Sequence, residues 1–145
     1  MNSIERLAIE WECARLVQRY CLLVDGYRHE ELVELWAPDG VWETWKGPLA
    51  GHDQMRAYLD AKPTGDHTVH MAQNIVIEVV DETRATGTAS FAYYGTRRDD
   101  PAATVPRVIG RYFDRYVRTA RGWRFAHRRT DMIFRSPRSP IVAGA

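Results

Sequence analysis

The chain has 145 residues, 45% of them hydrophobic and 27% charged, with a formal net charge of +1. That length fits one domain with a core of its own, and the near balance of charge argues against nucleic acid or an acidic membrane as a partner. Charges break up the apolar residues of the N-terminal MNSIERLAIEWE, and no apolar run approaches the ~18 residues of a membrane span, so a cytoplasmic location is expected.

Ser3 is a plausible N-cap, and from Ile4 to Val24 the apolar positions 4, 7, 8, 11, 14, 17, 20, 21 and 24 keep helical spacing. Glu5, Arg6, Glu12, Arg15, Gln18 and Arg19 form the solvated side of this long helix, which closes at Asp25-Gly26. Cys13 and Cys21 lie on it about 12 Å apart, too far for a bridge. A second helix is expected over His29 to Ala37, stopping before Pro38. A short strand from Val41 to Trp45 follows the Pro-Asp-Gly turn and leaves through Lys46-Gly47-Pro48. Gly51 to Ala61 reads as a third helix burying Met55, Tyr58 and Leu59.

The rest reads as sheet. His67 to Val80 is the first long strand, and strict alternation puts His70, Ala72, Asn74 and Val76 on one face and Met71, Gln73, Ile75, Ile77 and Val79 on the other. The first face has the mixed character of a pocket wall, whereas the second is apolar and needs cover from helices or a second subunit. His67 and His70 point to opposite faces, which removes the most obvious histidine pair as a metal site. Strands are expected over Arg84 to Thr96, Arg107 to Thr119 and Trp123 to Phe134. Arg97 to Pro106 is a loop by composition, solvated and in reach of the pocket as a lid. The stretch from Arg135 onward carries two Ser-Pro pairs and is not regular structure. The expected organisation is one domain over 1–135 and an extended or disordered tail over 136–145. Helices first and antiparallel strands afterwards imply α+β, with three helices on one face of a strongly curved, mostly antiparallel sheet, a cone whose open end makes a pocket.

Several spaced motifs occur in one order: Pro38 to Trp42, Lys46 to Gly51, His70 to Asn74, Gly110 to Asp114 and Gly122-Trp123. Together they resemble the SnoaL-like branch of the nuclear transport factor 2-like superfamily, over nearly the whole chain. That superfamily includes scytalone dehydratase, polyketide cyclases, ketosteroid isomerase, dehydrochlorinases and plain binding domains, so the resemblance speaks to fold more firmly than to function. It implies that Asp25 and His70 match the aspartate and histidine paired in the dehydratase and dehydrochlorinase branches, that Tyr20 matches the pocket tyrosine of the first helix, and that Trp42 matches the tryptophan after the Pro-Asp-Gly turn. There are departures. The isomerase's general-base aspartate falls near Thr44, a second dehydratase histidine has no equivalent unless Tyr93 or Tyr94 stands in, and Arg111, Arg118 and Arg129 compete for a dehydrochlorinase-like arginine.

A histidine held by a carboxylate through one ring nitrogen has the other free to take a proton, which makes Asp25 and His70 the expected catalytic pair. Asp25 also sits at the negative end of a helix dipole, where an imidazole nearby offsets the cost. Tyr20 would donate its hydroxyl to developing charge on oxygen. Tyr20 and Asp25 are five apart, roughly 140° around a helix, so the pocket must wrap around the helix end. Asn74, Trp42, Tyr93, Tyr94, Arg111, Phe113, Tyr116 and Met132 are the expected substrate-binding or lining set. His127 and Asp131, alternating with Trp123, Phe125 and Arg129, read as an ionic network at a subunit interface. The reading is a lyase or isomerase of the dehydratase or cyclase kind, with no cofactor, metal or nucleotide, acting on a small hydrophobic hydroxy-carbonyl or cyclic substrate. The other reading is a non-catalytic binding or assembly module. In both, a homo-oligomer is expected, a dimer through the convex sheet face.

Overall fold

Asn2, rather than Ser3, starts the first helix. Its side chain accepts from the backbone of Ile4 and Glu5, and Glu5 in turn accepts from the Asn2 N–H at 2.7 Å, a reciprocal capping box. The computed structural model describes residues 1–96 and 106–136, so most of the loop expected over 97–106 and nearly all of the tail lie outside the described residues. Helix α1 runs Ser3–Asp25. It carries two apolar stripes, and the sheet covers the one through Ile9, Cys13, Leu16, Val17 and Tyr20. The other, through Ile4, Leu7 and Trp11, is exposed, which corrects the single stripe expected from spacing.

Helix α2 is only His29–Val33, because the backbone that follows is claimed by the sheet. Phe125 N–H donates to Leu35 O at 2.8 Å, and strand β1 begins at Trp36 and runs to Thr44. Pro38-Asp39-Gly40 is thus inside a strand, at an irregularity in its pairing between Trp36 and Val41. Gly40 is required there, since a Cβ would come within 2.9 Å of the carbonyl oxygens of Ala37 and Phe125. A short strand β2, Gly47–Ala50, pairs back on β1 through a turn that Thr44 closes by donating its hydroxyl to Gly47 O at 2.9 Å. Helix α3, Gly51–Asp60, buries Met55 and Leu59.

Strands β3 (His67–Val79), β4 (Arg84–Thr96), β5 (Val108–Thr119) and β6 (Gly122–Arg135) complete a six-stranded sheet of order β2-β1-β6-β5-β4-β3. All pairings are antiparallel except β1 with β6. This is the expected α+β cone: three helices on the inner face of a curved, unclosed sheet. No helix among the described residues is long and apolar enough to cross a membrane.

Bulges decide which side chains face inward. On β3 the pairing skips from Gln73↔Ser90 to Val76↔Thr88, and Asn74 takes a left-handed φ of 52°. Below that point alternation reverses. Ile75, Ile77 and Val79 therefore join His70 and Ala72 on the inner side, and Asn74 and Val76 are exposed. On β6 the pairing skips Ala126, between Phe125↔Tyr116 and His127↔Arg115. Trp123 and Phe125 are inner residues before the bulge and Arg128 is one after it, leaving His127, Arg129 and Asp131 outside.

Candidate active site

Asp25 is the last residue of α1, and the sheet brings β3 alongside it. His70 Nδ1 donates to Asp25 Oδ1 at 2.6 Å, the Thr68 hydroxyl to the same oxygen at 3.0 Å, and His70 N–H to Oδ2 at 2.7 Å. Three donors from one strand fix the carboxylate and offset the repulsion of the helix C-terminus, a term of up to ~1 kcal/mol. With Nδ1–H engaged, the neutral imidazole keeps its lone pair on Nε2. Both side chains are mostly buried, at 16% and 19% exposure, so the pair works in a poorly hydrated setting.

Rings hold the imidazole. Tyr93 of β4 lies over it with centroids 4.6 Å apart, and Tyr20 meets it edge-on at 6.3 Å. His70 thus touches both Tyr20 and Asp25, which resolves their separation around α1: the site closes around the helix end. Burial pushes the Tyr20 hydroxyl well above its ordinary value, the charge of Arg128 offsetting this only in part, so Tyr20 is a donor and not a base. Tyr20 also packs edge-on against Trp36, Trp42 and Tyr112.

Arg128 is the residue that sequence reasoning passed over. It is fully buried, with Nε and Nη2 on the two carboxylate oxygens of Asp114 at 2.8 and 2.7 Å, and its guanidinium lies 4.4 Å from the Tyr20 ring centre. Burial opposes its charge, but the charge and hydrogen bonds of Asp114 outweigh that and keep Arg128 protonated. Among the described residues two buried donors, Arg128 Nη1 and Trp36 Nε1, have no hydrogen-bond partner. Both side chains contact Tyr20 and Phe125. A signal for Arg128 did exist: Asp114 shares the inward parity of Tyr112 and Tyr116, and a carboxylate there demands a cation.

Of the expected lining, Trp42, Tyr93 and Met132 face inward and Tyr116 is buried beneath Phe125. The structure moves the others. Tyr94 alternates away from Tyr93 and pairs with exposed Val69 on the outer side. Arg111 and Phe113 flank inward Tyr112 and so point outward, Phe113 beneath the Arg129 guanidinium at 4.4 Å. Asn74 is turned out by the bulge. The polar cluster on β6 also changes composition: His127 Nε2 contacts Glu43 Oε1 at 2.7 Å and Arg129 pairs with Asp131 at 3.3 Å, without Trp123 or Phe125. Among the described residues no group of three or more His, Cys, Asp or Glu side chains could hold a metal ion. A groove of about 700 Å³ between α1 and β3 runs past Leu7, Trp11, Ile75 and Ile77, away from the dyad.

Three helices on a bent, unclosed sheet define the nuclear transport factor 2-like α+β cone. The chain belongs to the SnoaL-like domain family, whose family model matches residues 5–129. No curated protein matches it. Among solved structures it is similar to a candidate scytalone dehydratase from Novosphingobium aromaticivorans, at 23% identity and a TM-score of 0.79 over 93% of this chain and 91% of that one. It is also similar to the hexachlorocyclohexane dehydrochlorinase LinA-type3 of Novosphingobium barchaimii, at 19% identity and a TM-score of 0.80 over 94% of each chain. A Mycobacterium tuberculosis protein of unknown function, Rv3472, aligns at 25% identity and a TM-score of 0.76 over 85% of this chain and 75% of that one. At these identities the likeness to the two Novosphingobium proteins speaks for the fold.

Proposed function

We propose that the protein is a cofactor-free lyase that removes water from a small hydrophobic hydroxy-carbonyl substrate, with cyclisation of an activated polyketide-like chain as a close variant. The observation that carries this reading is the 2.6 Å contact of Asp25 Oδ1 with His70 Nδ1, which turns the Nε2 lone pair into a base. In the reaction, His70 Nε2 takes the proton from the carbon next to the carbonyl, and that C–H electron pair becomes the new double bond. The C–O bond of the neighbouring hydroxyl breaks, the oxygen keeping its pair and receiving a proton from the imidazolium, so water leaves and His70 returns to its starting state. Tyr20 donates to the carbonyl oxygen as it gains charge. General acid-base catalysis with such a donor accounts for ~10⁴ to 10⁶ of rate, enough for a substrate whose C–H is already acidic. The names of the two Novosphingobium structures, a dehydratase candidate and a dehydrochlorinase, support an elimination of this kind.

The test is incubation with a panel of β-hydroxy ketones in D₂O, following both deuterium at the acidic carbon and loss of water by mass. Wild type is expected to do both with at least one member, and His70→Gln to lose on the order of 10² to 10⁴ of the rate. Equal behaviour of wild type and His70→Gln, with substrate still bound, would leave a binding module of the same fold.

We also propose that the outer sheet face is a homodimer interface. It exposes Val69, Met71, Val76 and Ile109, and the unlike charges of Arg129 and Asp131 beside them suit a two-fold pairing. Sedimentation at micromolar concentration is expected to give a dimer, and a clean monomer would contradict it.

A further inference from the structure

The chain contains two lysines, Lys46 and Lys62, among its twenty basic residues, and one aromatic patch holds both. Lys62 lies between α3 and β3, partly buried. Its Nζ is 4.3 Å from the Tyr58 ring centre and 5.8 Å from that of Trp42, while Lys46 Nζ is 5.0 Å from the Trp45 ring centre. Among the described residues no carboxylate forms an ion pair with Lys62. Ring faces offset only part of the hydration that a buried ammonium gives up. Burial, with Lys46 adding to it, accordingly brings Lys62 down to about 8. At neutral pH it is still mostly charged, and among the described residues its ammonium meets ring faces and no carboxylate.

The rings beside it lead to the dyad. Trp42 meets Tyr58 edge-on at 5.7 Å and Tyr20 edge-on at 5.9 Å, and Tyr20 meets His70 at 6.3 Å. Lys62 therefore stands at the outer end of an aromatic row whose inner end is the proposed base. We propose that Lys62 recognises a carboxylate on the substrate, at the end remote from the C–H that His70 deprotonates. The inference deepens the lyase reading and rests on it: the substrate is a hydroxy-carbonyl acid with an apolar body. One ammonium among ring faces suits a singly charged carboxylate. A phosphate would call for further donors, and no glycine-rich loop supplies them.

Having only two lysines makes the test direct, because ¹⁵N- and ¹³C-labelled lysine gives two side-chain signals, with Lys46 as the internal control. The probes are 3-phenylpropanoate and its methyl ester. Saturating acid is expected to raise the Lys62 titration midpoint clearly above about 8, and the ester to leave it in place. Lys62→Met should weaken the acid by roughly tenfold to a hundredfold and the ester by less than twofold, with Lys62→Arg retaining most of the acid affinity. His70→Gln should leave this preference intact. The inference is overturned if acid and ester bind alike, if Lys62→Met weakens both equally, or if the acid does not bind at millimolar concentration. Loss of turnover in His70→Gln without any preference for acid would sink the carboxylate site alone. A preference for acid alongside undiminished turnover in His70→Gln would sink the lyase reading instead, and would leave Lys62 as a carboxylate-binding residue.

Discussion

Arg128 is held by Asp114 and by the faces of Tyr20, Tyr112 and Phe125, so removing it strands a buried carboxylate. Arg128→Met is expected to cost about 3–5 kcal/mol in urea unfolding, and Arg128→Met with Asp114→Leu much less, because then no charge is left alone. Tyr20→Phe should behave in the opposite manner, lowering turnover about 10- to 100-fold with stability nearly unchanged, since the rings pack equally well without the hydroxyl. Raised by burial, Tyr20 keeps its proton to well above pH 10, so the alkaline limb of a pH–rate profile should be the same in wild type and Tyr20→Phe. At this scale the sequence put Asp25, His70, Tyr20 and Trp42 on the faces they take, Asp25 ending α1, Tyr20 on its buried stripe, His70 before the β3 bulge and Trp42 after the irregularity in β1. It was a poor guide to Arg128, whose inward direction depends on the unpaired Ala126.

Elements were legible where periodicity alone settles them and not where backbone pairing does. The three helices and four long strands follow from apolar spacing and turn residues. Residues 34–37 do not stay helical because Leu35 and Trp36 find sheet partners in β6, a non-local gain no local pattern announces. The bulge on β3 is the sharper case, since one left-handed residue reverses the faces of everything after it. Asn74 tolerates that conformation better than most residues, so Asn74→Gly should be neutral within about 0.5 kcal/mol and Asn74→Val should cost about 1–2 kcal/mol. Both should leave turnover untouched, in contrast to what a pocket asparagine would show. Gly40→Ala, which forces a methyl against two carbonyl oxygens where β1 meets β6, should cost about 1–3 kcal/mol.

For the molecule as a whole, large apolar side chains stay exposed among the described residues. The outer side of β3 continues to Ile133 and Phe134 on β6, and Met71→Glu with Phe134→Glu is expected to yield a folded monomer if this face is the interface. The pH dependence of stability carries the mark of Lys62. Its ammonium titrates at about 8 in the folded chain against an ordinary 10.5, so between those values the unfolded chain holds the extra proton and this group's contribution to stability rises with pH. Cys13 and Cys21, pushed up by burial to about 12 and about 11, act oppositely and lose stability above their ordinary 9.0. Comparing Lys62→Met with wild type from pH 8 to 10.5 isolates the lysine: thermal unfolding of the variant should fall more steeply.

The central claim is that Asp25 sets the tautomer of His70 so that Nε2 is the free base. Long-range ¹H–¹⁵N NMR of the His70 ring, at a pH where it is neutral, reads this directly. The account requires Nδ1 to carry the proton and Nε2 to show the shift of an unprotonated nitrogen, with that preference weakened in Asp25→Asn. A wild-type ring protonated on Nε2 would contradict it, because the atom assigned to take the substrate's proton would already hold one.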